Sequence, residues 1–187
     1  MEKVPASIGA RIARNSYGTL SNQLWDKKLH KGVPKSWDAF TGAWRANEQA
    51  EWFLKKGEKF TRGKKSKHAY ERHFPNNTEI IQPVEEELFF SSSDKPPQQN
   101  CDEVELLCSI KWNEDIKLSS LPERVSPEGQ KFRVLLYEIH VTFDGAAMDV
   151  SVHHQGKRVA DKSVSIDFDQ KNCSTEWSGI EKKTDAW

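Results

Sequence analysis

Residues 55–73, KKGEKFTRGKKSKHAYERH, hold the densest grouping of glycine, lysine and hydroxyl groups and are the first place to look for phosphate chemistry. A phosphate-binding loop sets four residues between its glycines and a hydroxyl directly after its lysine, so that backbone N–H groups cradle the phosphates. Here residues 58–62 separate Gly57 from Gly63, one too many, and Lys65 rather than Ser66 follows Lys64. No helical pattern opens afterwards to present its N-terminus to a phosphate. The run reads as a solvated basic loop leading into a strand near Lys67–Phe74. One functional reading remains for it, a nucleic-acid-binding loop at 55–73. In that reading Lys64, Lys65 and Lys67 meet phosphates while Phe60 and Tyr70 stack on bases. The whole chain gives this little support, because 28 Lys and Arg balance 28 Asp and Glu and leave no global field to draw a polyanion.

The other reactive groups lack partners at useful spacing. His153 and His154 are adjacent, so on a strand they face opposite ways, and His140 lies across a hairpin from them. No Asp or Glu completes a metal-ligand set, so these read as surface histidines and no metal is expected. Cys101, Cys108 and Cys173 form no C-x-x-C pair, which argues against zinc and against a disulfide framework and favours a reducing, cytoplasmic setting. Neither a G-x-S-x-G elbow nor an H-E-x-x-H pair is present, and no catalytic residue or cofactor is assigned. No apolar run approaches the roughly 20 residues that span a bilayer.

The elements that could position any site are β-strands. Within 101–168, Val104, Leu106, Cys108, Ile110 and Trp112 fall on one side, with Glu105, Ser109 and Lys111 on the other. Leu135, Tyr137, Ile139, Val141 and Phe143 do the same in a longer run. Alternation puts one set of side chains on one face of a half-buried strand. Asp144-Gly145 and Gln155-Gly156 suit the positive φ angles of tight hairpins. Met148, Val150 and Val152, then Val164, Ile166 and Phe168, supply the returning strands of a β-meander.

Upstream, short strands are expected at 16–20, 49–55 and 88–90, and loops at 26–35, 91–100 and 113–131. Ser36 as N-cap, Asp38 in a first turn, and Trp37, Phe40 and Trp44 at helical spacing predict a short helix over 36–45. Burying five large side chains on the 135–143 face yields about 10 kcal/mol, while ordering backbone costs on the order of 1–2 kcal/mol per residue. The tryptophan-rich 37–54 region must therefore add a second apolar layer, with Trp37, Trp44 and Trp52 read as core.

Three motifs in order give a family resemblance: Arg11-Ile12-Ala13-Arg14…Tyr17-Gly18, then Trp52-Phe53-Leu54-Lys55-Lys56-Gly57-Glu58, then Leu88-Phe89-Phe90-Ser91-Ser92. Together with Thr142-Phe143-Asp144-Gly145 and Val164-Ser165-Ile166-Asp167-Phe168, they resemble the C-terminal part of divergent fungal relatives of the 70 kDa heat-shock (DnaK-type) chaperones. Those proteins carry an actin-like ATPase domain followed by a shortened β-rich domain. The resemblance implies a mainly β fold, an antiparallel β-sandwich similar to a chaperone peptide-binding domain, with the short helix near 36–45 inside an insertion.

The expected layout is a basic lead-in (1–15), a sandwich-like domain (16–168) with an insertion at 26–49, and a disordered tail (169–187). An ATPase domain would precede Arg11, so ATP enters only through a domain not present here, and the chain reads as a truncated product or free-standing remnant. The implied function is non-catalytic: binding of extended apolar peptide, or packing against a partner domain. Phe74, Ile80, Ile81 and Val84 are, by position, the candidate groove residues. The alternatives are a structural C-terminal domain of a larger ATPase and the nucleic-acid reading of 55–73.

Overall fold

The computed structural model describes residues 10–77, 80–81, 84–112 and 115–166. The first nine residues of the basic lead-in, Pro83, Phe168 and the tail at 169–187 lie outside them. The strands in chain order are β1 (Arg11–Ile12), β2 (Ser16–Leu24), β3 (Lys35–Asp38), β4 (Ala43–Leu54), β5 (Lys59–Phe60), β6 (Lys64–Pro75) and β7 (Ile80–Ile81). There follow β8 (Glu85–Ser91), β9 (Glu105–Lys111), β10 (Ile116–Lys117), β11 (Glu123–Val125), β12 (Lys131–Phe143), β13 (Ala147–His154) and β14 (Lys157–Ser165). Among the described residues the helical content is a 3-10 turn at Leu118–Ser120. No helix among them is long and apolar enough to cross a membrane.

Two antiparallel five-stranded sheets stack face to face. In one, β12 lies between β6 on one side and β13, followed by β14, on the other, with β11 pairing the start of β12. The other runs β3-β4-β2-β8-β9. The alternation of β12 has the expected consequence, since Leu135, Ile139, Val141 and Phe143 are at most 1% exposed. They share one core cluster with Tyr17, Phe53, Leu54, Leu88 and Ile110 of the second sheet. Neither sheet face could be buried without the other, so the fold is a β-sandwich. At the second hairpin Gln155 (φ 49°) and Gly156 (φ 77°) are both left-handed, which is the backbone a two-residue turn needs to match strand twist.

Several expectations are corrected. The helix over 36–45 is a β-hairpin: Trp37 pairs with Trp44 and Asp38 with Ala43 across β3 and β4. Asp38 is no first-turn residue but organises the turn, its Oδ1 accepting hydrogen bonds from the amides of Phe40 and Thr41. The segment 26–49 thus supplies strand pairs to the second sheet.

The meander is β12-β13-β14 alone; β9 pairs with β8 in the opposite sheet, so 101–168 is divided between the two layers. The shift of register between Leu88 and Phe89 leaves Leu106 53% exposed while Cys108 packs against the core. The 113–131 interval is more than a loop, because Ile116, Leu118 and Leu121 are buried in the core. The basic run 55–73 is strand β6 from Lys64 onward.

Trp37 and Trp44 are 49% and 45% exposed, on the outer face of the second sheet. Their rings meet edge-on at 5.5 Å, and the Lys35 Nζ lies over Trp25 and Trp44. The second apolar layer comes instead from Phe53 and Leu54. Replacing Trp37 by alanine is therefore expected to cost on the order of 1 kcal/mol in urea denaturation. A loss of 3–5 kcal/mol, typical of a buried aromatic, would contradict this placement.

Candidate functional site

The second sheet is not continuous. β2 and β8 pair only through Ser16–Ser91, Tyr17–Phe90 and Gly18–Phe89. Beyond Gly18, β2 continues on β4 alone and β8 runs back to Glu85 on β9 alone. The sheet therefore splits, and two strand edges face each other without a ladder between them.

Side chains fill part of what a strand would supply. Thr19 Oγ1 donates to the Glu87 carbonyl at 3.1 Å. Arg72 Nη2, reaching over from β6 of the other sheet, donates to the Glu85 carbonyl at 2.8 Å. Glu85 and Glu87 are two apart, so both carbonyls point to the same edge of β8. A cavity of about 920 Å³ between the sheets and a second of about 610 Å³ adjoin this split. Both are lined by Thr19, Leu20, Ser21, Asn22, Arg72 and Glu86.

Sequence-distant strands bring a charged network to the larger cavity. Glu51 on β4 accepts from Tyr70 OH at 2.9 Å and lies 2.8 Å from His68 Nδ1, both on β6. Phe53 stacks on His68 with centroids 4.2 Å apart. Tyr70 stacks on Tyr137 of β12 at 5.6 Å. The Tyr137 OH donates to Glu86 Oε2 at 3.1 Å, and Arg72 Nη2 lies 3.0 Å from Glu86 Oε1. The far end is closed by the β3–β4 turn, where Phe40 packs on His73 and Phe132 and Asp38 lies 3.7 Å from His73.

Burial dominates the electrostatics here. It lifts the Glu86 carboxyl above its ordinary value against the opposing pull of Arg72 and the Tyr137 hydroxyl. Burial and then the Glu86 charge push the Tyr137 phenol up to about 12. Burial followed by Glu51 drives Tyr70 further in the same direction. At Asp38, burial would raise the carboxyl, but the hydrogen bonds from Thr41 and from the Phe40 and Thr41 amides outweigh it and hold it low.

A raised carboxyl binds its proton more tightly folded than unfolded. The contribution of Glu86 to stability is therefore fully present below its ordinary 4.5 and is lost as pH rises through the folded value. Relative to Glu86→Gln, the wild-type protein is expected to lose stability between pH 4 and pH 8 in urea titrations. A gain over that range would contradict the burial of this carboxylate.

The residues singled out from the sequence do not assemble into one site. Ile81 and Val84 are 8% and 3% exposed and belong to the core rather than to a groove. Phe74, partly buried, packs against that core, and the side chain of Ile80 lies outside the described residues. Lys65 and Lys67 are exposed on β6, whereas Lys64 is ion-paired with Glu58, and Arg62 nearby is ion-paired with Asp144. His140 and His153 stack at 4.0 Å, with Glu138 bonded to His140. Among the described residues no group of three His, Cys, Asp or Glu side chains could hold a metal ion.

Of the residues that do converge, Tyr70 is a base-stacking candidate in the sequence and Tyr137 a strand-face residue, while Glu51, Arg72 and Glu86 are not singled out there. Two signals were available. Glu85-Glu86-Glu87 runs directly into the strand Leu88-Phe89-Phe90, and His68, Tyr70 and Arg72 occupy alternate positions of β6.

A family model described as a domain of unknown function (DUF8568) matches residues 11–172. The chain belongs to the DUF8568 family. No curated protein and no solved structure matches it. The DUF8568 match runs from the first residue of β1 past the end of β14, so both sheets, the split and both cavities fall inside it. Chemically the site offers the DUF8568 domain two facing strand edges, a buried carboxylate and a ring of hydrogen-bonding side chains.

Proposed function

We propose that this domain is a non-catalytic recognition module that accepts an extended peptide segment as an additional strand between β2 and β8. The observation that carries the reading is the split itself. Backbone carbonyls at the edge of β8 are met by the side chains of Thr19 and Arg72 where a neighbouring strand would ordinarily stand. Main-chain hydrogen bonds supply affinity in strand addition, and pockets for alternate side chains supply selectivity. The two cavities adjoining the split are such pockets. A partner domain that presents an extended segment is bound in the same way as a free peptide. The resemblance to the β-rich domain of the DnaK-type relatives supports the same class of function, with the nucleotide chemistry assigned to a separate ATPase domain. The charged lining is more polar than the apolar groove that resemblance implies.

The test is selection from a library of random nine-residue peptides, followed by titration of the enriched sequences against tryptophan fluorescence. Saturable binding indifferent to ATP is expected. If no sequence is enriched, and none saturates at millimolar concentration, the reading fails.

A further inference from the structure

The connection from β2 to β3 carries a patch unlike the rest of the surface. β4 lies between those two strands, so the chain has to cross it, and residues 25–34 make the crossing. The first turn of this connection is firmly built. Asp26 Oδ1 accepts from the amides of Lys28 and Leu29 at 2.7 Å and 3.1 Å. The Asp26 amide in turn donates to Nδ1 of His30, which is buried, at 2.9 Å. With the turn held at both ends, Leu29 is left 73% exposed, and Leu24, where β2 ends, 63% exposed. Trp25 joins Trp44 to the same group, its amide donating to the Trp44 carbonyl at 2.9 Å. Leu24, Leu29, Trp37 and Trp44 are half of the large hydrophobic side chains exposed among the described residues, gathered within one short stretch of chain. The charge of the stretch is one-sided as well. Lys27, Lys28 and Lys31 are exposed, and the Asp26 carboxylate between Trp25 and Lys27 is turned onto its own backbone. Lys56, Lys64 and Lys131 elsewhere are ion-paired, whereas these three have no carboxylate partner among the described residues.

We infer that this patch seats the domain on an anionic lipid surface. Leu24 and Leu29 enter the boundary between headgroups and acyl chains, Trp37 and Trp44 lie at that boundary, and Lys27, Lys28 and Lys31 meet the headgroup phosphates. Three observations choose this occupant. The four apolar side chains line none of the cavities described above, so they offer no groove to a strand or helix, whereas a fluid surface needs none. Tryptophan, with an apolar body and a polar N–H, suits the membrane–water boundary, and lysine stems lie along apolar surroundings while their ammonium groups reach the headgroups. A second copy is disfavoured by charge, because a two-fold contact through this patch would set the three lysines against themselves. Lying on a bilayer in this way requires no spanning segment. The inference is independent of the strand-addition reading and uses a different face of the molecule.

The experiment floats the full chain with vesicles of phosphatidylcholine alone, or of phosphatidylcholine with about one-third phosphatidylserine, at low and high salt. Binding to the anionic vesicles is expected to be at least about tenfold tighter, with the advantage shrinking at high salt. Each lysine near an anionic surface is worth about fivefold, so Lys27→Gln/Lys28→Gln/Lys31→Gln should weaken binding to those vesicles about hundredfold. Leu24→Ser/Leu29→Ser, at exposed positions that leave the fold intact by circular dichroism, should weaken binding to both kinds of vesicle. Brominated acyl chains should quench the tryptophan fluorescence of the bound protein, and less so in Trp37→Phe/Trp44→Phe. No flotation with anionic vesicles, or flotation that the lysine substitutions leave unchanged, overturns the inference. So does retention on polyglutamate as strong as on vesicles and indifferent to Leu24→Ser/Leu29→Ser, which would make the patch a site for an acidic protein. A concentration-dependent dimer lost in Leu24→Ser/Leu29→Ser overturns it in favour of a second copy.

Discussion

Arg72→Met is expected to lower the stability of the domain by about 3 kcal/mol at pH 7. The substitution keeps the length of the apolar stem and removes the cation beside a carboxylate that is 4% exposed. Breaking a buried pair by deleting one partner typically costs 3–5 kcal/mol, because the remaining charge is left in a poorly solvated place. The lower end applies, since the Arg72 side chain is itself 39% exposed. The loss shrinks as pH falls, because Glu86, already raised by burial, takes up a proton more readily than an ordinary carboxylate. The double substitution Arg72→Met/Glu86→Leu is expected to recover most of the deficit, since an apolar pair of similar volume replaces two desolvated charges. Urea denaturation of the two single variants and the double variant measures this directly. A loss below 1 kcal/mol for Arg72→Met would mean that water reaches Glu86 freely.

Gly18→Ala is the second large effect, and it is steric. A Cβ at residue 18 would sit 2.1 Å from the Glu51 carbonyl oxygen and 2.9 Å from the Trp52 Cα, both backbone atoms of β4. No rotamer change relieves such a contact, so β2 and β4 must move apart at the point where Tyr17 and Leu54 enter the core. Overpacking of this kind costs typically 1–3 kcal/mol, and backbone-on-backbone contact places Gly18→Ala at about 3 kcal/mol. Gly63→Ala is the control. It has open space around it and φ 80°, so only the backbone preference is lost, about 1 kcal/mol. Equal losses for the two variants would show that β2 and β4 are not closely apposed at Gly18.

The halves of the fold were unequally legible in the sequence. β12 and β13 could be read because burial on one face writes a period of two, and Gln155-Gly156 because its backbone demands such residues. The β3–β4 hairpin misled for a definite reason. Trp37, Phe40 and Trp44 stand three and four apart, as on a helix, yet Trp37 and Trp44 are cross-strand partners of a tight hairpin with Phe40 in its turn. A hairpin this short places its paired residues at the spacing of two helical turns, and aromatic type alone does not separate the two. Nor did it show that Trp37 and Trp44 face outward, since burial depends on what lies opposite a face.

The site was hidden because it is built from long-range pairings. Arg72 meets Glu86 across the sandwich, Tyr137 comes from a third strand, and the split arises where β2 and β8 part after Gly18. Nothing in the run Glu85-Glu86-Glu87 marks which of the three carboxylates is buried. In the fold they stand at the edge of a divided sheet, and Glu86 alone of the three is buried.

Hydrogen exchange by mass spectrometry tests the central claim most directly, with the free domain compared against the domain saturated with its best library peptide. Without peptide, amides facing the split in Leu20–Asn22 and Glu85–Glu87 should exchange faster than those of β12, which is paired on both sides. With peptide, protection should rise in those two segments together and change little in β13 and β14. Protection that instead appears on the Trp37–Trp44 face, or along β6 with the split unchanged, would contradict a strand-accepting slot between β2 and β8.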